Sequence, residues 1–144
     1  MEIVSINSGK DTLLKCPKPP IYLSDNAKKY YLQMGNLLAR LDKLKPIYLN
    51  ALEIYADSMD QYQWAVISIK NQNKEKNGSG YIQVFKTGAK NISVELSIKN
   101  DAISKLIKCF SLFGLDPKSE KDLKETSDPN QISLFAELMQ SKAN

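Results

Sequence analysis

Seven apolar residues, Tyr48, Leu52, Tyr55, Met59, Tyr62, Val66 and Ile69, follow one another at alternating steps of four and three. That spacing keeps every one of them on the same side of an α-helix for three heptads, so it predicts a long helix with a packing seam. Aromatic residues take three of the seam positions. They suit packing inside a small domain better than a free-standing dimeric coiled coil. Whatever else the chain forms must cover this seam.

The segment before it supplies a partner. In "YLSDNAKKYYLQMGNLLARLDKL", Ser24 is placed to cap a helix and Asp25 sits in its first turn, both favourable at a positive helix start. Ala27, Tyr31, Met34, Leu38 and Leu41 form its apolar stripe. Pro46 ends this helix and suits the first position of the next. The short "DKLKP" link makes the two an antiparallel helical hairpin.

A third helix, "LSIKNDAISKLIKCFSLFG", closes at Gly114. Its apolar residues cover far more than one stripe, which predicts burial on more than one side and a surface that meets another subunit. Between the second and third helices the character changes. "NGSGYIQVFKTGAKN" holds a β-prone run between glycines and lysines. "ISVEL" after it reads either as a second strand or as the start of the third helix, since Ile92, Val94 and Leu96 alternate with polar residues. The expected fold is mainly α: an antiparallel helical hairpin plus a third apolar helix, with a small β-hairpin or single strand between helices 2 and 3.

The organisation follows. Residues 1–20 end in "CPKPP" and read as an extended leader. Residues 21–115 form the helical core, with the β-element near 81–96. Residues 116–144 begin as a charged linker without a core pattern. They end in a short amphipathic helix carrying Ile132, Leu134, Phe135, Leu138 and Met139, which either folds back on the core or serves as a docking peptide.

Function is narrowed first by what is missing. The 144 residues contain no histidine, and Cys16 and Cys109 are far apart. The commonest general base and metal ligand is therefore absent, and zinc or dithiol chemistry has no support. Neither a phosphate-binding G-x-x-x-x-G-K-[ST] loop nor a G-x-G-x-x-G motif occurs. The expectation is a non-enzyme with no cofactor and no metal. No apolar run is long enough for a membrane span and no secretory signal opens the chain, so an intracellular protein is expected.

The net charge of +4 is unevenly spread. Residues 1–50 hold eight basic against four acidic residues, and residues 70–90 hold five lysines against Glu75. Residues 51–69 hold only acidic charge: Glu53, Asp57 and Asp60. Arg40 is the one arginine among twenty basic residues. Lysine suits phosphates, whereas bidentate reading of guanine favours arginine. Such a surface suits the DNA backbone better than base edges.

Two basic groups are candidates. Lys28, Lys29, Arg40, Lys43 and Lys45 lie on the first helix and its exit; Lys70, Lys74, Lys76, Lys86 and Lys90 surround the β-element. The bland reading makes the first a solvated helix face and the second a set of lysines that guards a sheet edge. A small helical regulator of a mobile element is a rival function, but the acidic middle of the second helix disfavours a recognition helix. A structural adaptor without DNA affinity is another.

The ordered set "P-x-Y-L-S-D-x-A-K-x-Y", "L-x-A-L-E-x-Y-A", "N-G-x-x-Y-I-Q-V" and "L-F-G-L-D-P-K-S" resembles the small terminase subunit family of tailed bacteriophages and prophages. The matching positions include Leu23, Ser24, Ala27, Tyr30, Leu52, Tyr55, Gly80, Tyr81, Gln83, Gly114, Leu115, Pro117 and Ser119. They span about residues 19–120. Two departures from the family pattern stand out. Glu120, Lys121 and Asp122 stand where an arginine-rich pair is common, and Ile92 follows Asn91 where the family often has proline.

The resemblance implies a non-catalytic protein of the bacterial host cytoplasm. It would bind double-stranded viral DNA at packaging initiation, recruit and regulate the large ATPase–nuclease subunit, and assemble as a homo-oligomeric ring. On that reading Tyr81, Ile82, Val84, Phe85, Ile103, Ile107 and Phe110 are expected at the subunit interface. Ile132, Leu134, Phe135, Leu138 and Met139 are expected to dock the large subunit.

Overall fold

The computed structural model describes Ile6, Asn7 and residues 11–116. The expected C-terminal amphipathic helix lies outside these residues. Three α-helices carry the fold: α1 (Asp25–Arg40), α2 (Leu49–Glu75) and α3 (Val94–Leu112). A short strand pair, β1 (Ile6–Asn7) and β2 (Thr12–Leu13), precedes α1; a second, β3 (Ile82–Val84) and β4 (Lys90–Ile92), separates α2 from α3.

The Ser24 side chain caps α1, accepting from the Ala27 N–H at 3.1 Å. Pro46 opens a single 3-10 turn (Pro46–Tyr48) that leads directly into α2. The ambiguous "ISVEL" is split: Ile92 ends β4, Ser93 caps α3, and Val94 and Leu96 are helical. Gly114, with φ of 72°, ends α3 where a left-handed residue is needed.

Helix α2 is the spine. Both α1 and α3 run antiparallel to it. Ser24 bonds Asp60 and Gly35 lies against Leu52; Gln72 bonds Glu95 and Cys109 bonds the Ala51 carbonyl. The core gathers Ala27, Tyr31, Met34 and Leu38 of α1, Leu52, Tyr55 and Met59 of α2, and Leu106, Cys109 and Phe113 of α3. Tyr55 stacks obliquely on Phe110 at 5.9 Å and edge-on to Phe113 at 6.2 Å. The leader is held down, with Leu13 and Cys16 buried and the Leu13 N–H donating to the Leu44 carbonyl.

The seam on α2 is continuous in sequence but not in cover. Helix α1 has 16 residues and α2 has 27, lengths of about 24 and 40 Å. Contacts from the start of α1 reach Asp60 and Gln63. Beyond them α2 overhangs, and Val66 on the seam is 37% exposed. Helix α3 also departs from expectation. Within one chain only one face is buried, around Ala102, Leu106 and Cys109, while Ile107 is 60% exposed.

Candidate nucleic-acid interface

The overhanging end of α2, the base of the β3–β4 ribbon and the first turns of α3 enclose a groove of about 360 Å³. Its walls are Val66, Ile69, Lys70, Asn73 and Lys74 from α2, Tyr81, and Lys99 from α3. Three lysines line the groove and no carboxylate does. Lys74 also stands in the last turn of α2, where the helix dipole favours a cation.

Glycine makes the groove. A Cβ on Gly80 would lie 2.5 Å from the Ile69 carbonyl oxygen. Only a residue without a side chain lets the ribbon press this closely on α2. The Gly80 N–H donates to Asn73 Oδ1 at 2.8 Å, and Ser79 Oγ donates to the Gln72 carbonyl at 2.8 Å. On the other side Ser93 Oγ donates to the Gly80 carbonyl at 2.7 Å while accepting from the Leu96 N–H. Its own N–H donates to the Tyr81 carbonyl. The ribbon is therefore tied at its base to both helices, and Tyr81 is carried to the groove.

Beyond that base the ribbon stands free. Ile82 pairs with Ile92, Gln83 with Asn91 and Val84 with Lys90. The turn closes by Gly88 N–H donating to the Phe85 carbonyl, with Gly88 at φ 88°, the pattern of a three-residue hairpin loop. Residues 81–92 are all exposed.

A match to the family "Phage terminase, small subunit" spans residues 27–130. The chain belongs to the phage terminase small-subunit family. No curated protein matches the chain, and no solved structure does. The family match assigns the protein to phage DNA packaging, and from the first turn of α1 onward it covers the three helices and the groove.

Within this family member the predicted basic residues separate. Lys70 and Lys74 meet in the groove. Lys76 is exposed just past α2, and Lys86 and Lys90 are exposed on the turn and on β4. Lys28 is half-buried; Lys29 and Arg40 are exposed on α1. Lys45 lies 5.6 Å over the Tyr48 ring. Lys43 is half-buried and donates to the Gly114 carbonyl at 2.8 Å, so its ammonium helps to close α3. Lys99 and Asn73 were not among the predicted residues. Their signal is tertiary, since only the register of α3 on α2 brings Lys99 to Lys70.

Of the predicted interface residues, Tyr81, Ile82, Val84, Phe85 and Ile107 are exposed, and Ile103 is half-buried. Phe110 is half-buried too, its ring turned onto Tyr55. Ile132, Leu134, Phe135, Leu138 and Met139 lie outside the described residues. Among the described residues no group of acidic or sulfur side chains is arranged to hold a metal, and no helix is long and apolar enough to cross a membrane.

The titrating groups near the core are held neutral. Burial pushes the Cys16 thiol up to about 11 and raises Cys109 as well. Burial likewise pushes the Tyr31 hydroxyl up to about 12 and raises Tyr55 further. A buried thiol kept protonated is a poor nucleophile.

Proposed function

We propose that this terminase small subunit binds viral DNA through backbone phosphates seated against Lys70, Lys74 and Lys99. The observation that carries this is the groove itself: three lysines, an amide and a tyrosine with no carboxylate among them. Lysine ammonium groups attract phosphates as point charges, and Tyr81 and Asn73 add a hydroxyl and an amide that bond phosphate or sugar. The role is positioning, without catalysis. Copies assemble into a homo-oligomer through the free ribbon and the outer side of α3. The segment from Ile132 to Met139 contacts the large subunit, which the small subunit recruits and regulates in the host cytoplasm.

The test is DNA affinity measured across a salt series. Lys70→Glu with Lys74→Glu should weaken binding to unrelated DNA sequences alike. It should also reduce the slope of log affinity against log salt by about one for each phosphate no longer neutralised. An unchanged slope removes the groove from the DNA interface. Deletion of residues 128–144 that leaves large-subunit binding intact removes the docking role of that segment.

A further inference from the structure

The free β3–β4 ribbon and a second groove on α2 are complementary in charge and in apolar character. The ribbon presents Ile82, Val84 and Ile92, with Lys86 and Lys90 at its far end, and all are exposed. No acidic residue occurs between Lys76 and Val94. A two-stranded ribbon with both faces bare is marginal in water.

The second groove, of about 490 Å³, lies towards the other end of α2, between the start of α1 and the middle of α3. Glu53 and Asp57 line it, and Tyr22 and Ile54 form an exposed apolar rim. Its carboxylates bond neutral groups. Glu53 accepts from the Tyr22 hydroxyl and Asp57 from Gln61 Nε2, while neighbouring Asp60 accepts from Ser24 Oγ. The one cation in its wall, Lys105, is paired with Asp101 at 3.0 Å. The groove therefore keeps its negative charge.

We infer that the β3–β4 ribbon of one copy seats in the Tyr22, Glu53, Ile54 and Asp57 groove of the next copy. The ribbon cannot reach its own groove. Its base is bonded to Gln72 and Asn73, which lie about 22 to 24 Å along α2 from Asp57 and further from Glu53, whereas the ribbon from Tyr81 to its turn at Thr87 spans at most about 20 Å. The two surfaces differ, so the contact is head to tail and each copy offers one of each. Apolar ribbon residues cover Ile54 and Tyr22, and Lys86 and Lys90 meet Glu53 and Asp57. The lysines of the first groove stay available to DNA. This inference rests on the reading of the protein as a homo-oligomer.

Charge exchange tests it, with sedimentation velocity as the readout. Wild-type protein should sediment above monomer mass. Lys86→Glu with Lys90→Glu gives a ribbon repelled by the groove, and Glu53→Lys with Asp57→Lys gives a groove repelled by the ribbon. Each variant alone should weaken self-association by about tenfold or more. An equimolar mixture should regain it, because each variant's ribbon now fits the other's groove. Circular dichroism on each variant separates a failure to associate from a failure to fold. If either folded variant assembles as well as wild type, the inference is overturned. It is also overturned if the mixture stays monomeric while wild type assembles. If wild type itself is monomeric, the homo-oligomer reading falls with it. Loss of DNA binding with association intact in the ribbon variant would make the ribbon a DNA arm instead.

Discussion

The Lys43 ammonium donates to the Gly114 carbonyl oxygen at 2.8 Å, across 71 positions of sequence. It ties the link between α1 and α2 to the end of α3, where a left-handed glycine has stopped the helix. A charged donor there meets the carbonyl of the residue just past the helix cap.

Replacing Lys43 by Met keeps most of the stem and removes the donor. We expect a loss of about 1.5 kcal/mol, as for other hydrogen bonds to charged groups. The urea midpoint should fall with the slope unchanged. DNA affinity should match wild type after correction for the folded fraction. A large loss of DNA affinity in fully folded protein would return Lys43 to the DNA surface.

Gly35 is buried where α1 meets the leader. A Cβ there would lie 2.2 Å from Cys16 Sγ and 3.1 Å from Leu52 Cδ2. Gly35→Ala should gain about 1 kcal/mol of helix propensity but lose about 1–3 kcal/mol to overpacking, a net destabilisation. Adding Cys16→Ala removes the clashing sulfur and leaves the lesser contact with the Cβ of residue 16 at 2.9 Å, a partial relief. The double variant should therefore be less destabilised than the two single changes summed, which a denaturation cycle reads directly.

Ser93 serves two elements at once, capping α3 and holding the Gly80 carbonyl. Ser93→Ala should cost about 1–2 kcal/mol. It should also speed hydrogen exchange in residues 80–92 more than in α1. Equal acceleration in both places would mean that the ribbon is not tied down through Ser93.

Stability should fall on the alkaline side. The Tyr31 hydroxyl titrates at about 12 in the folded chain against 10.0 for a free tyrosine, and Tyr55 is raised too, both through burial. The unfolded chain therefore loses these protons first. Their contribution is fully present below pH 10; that of Tyr31 is lost as pH rises from about 10 towards 12, and that of Tyr55 over a range reaching further into alkali. Tyr31→Phe should move the alkaline unfolding midpoint upward, followed by circular dichroism. A midpoint unmoved in that variant would exclude Tyr31 as a contributor.

The thiols should be silent in the native state. Cys16 is buried, donates weakly to the Tyr31 carbonyl, and titrates at about 11. Cys109 is buried against the Ala51 carbonyl. Labelling with a thiol reagent at neutral pH should be slow for both and should become rapid in denaturant. Rapid native labelling of Cys16 would show that the leader opens away from α1.

The helices were legible because their signals are local. The four-and-three spacing of the α2 seam, the Ser24 cap, Pro46 and Gly114 each act within one or two turns of chain. The β-element was legible as well, since glycines and alternation mark it, although its end against α3 was not. Ser93 decided that boundary by bonding both the Leu96 N–H and the Gly80 carbonyl, a choice made by a residue thirteen positions away.

The candidate sites were legible only in part. The sequence by itself determined which residue types are available: lysines in two blocks, carboxylates between them, no histidine. Tertiary structure decided which of these meet. Lys70 and Lys74 are joined by Lys99 because α3 lies antiparallel on α2, and the groove is open because α1 is too short to cover the whole of α2. Lys43 meets the Gly114 carbonyl for a similar reason. Hydrophobic spacing and capping act along the chain, whereas the grouping of like charges depends on the relative lengths and register of packed helices, which no single segment encodes.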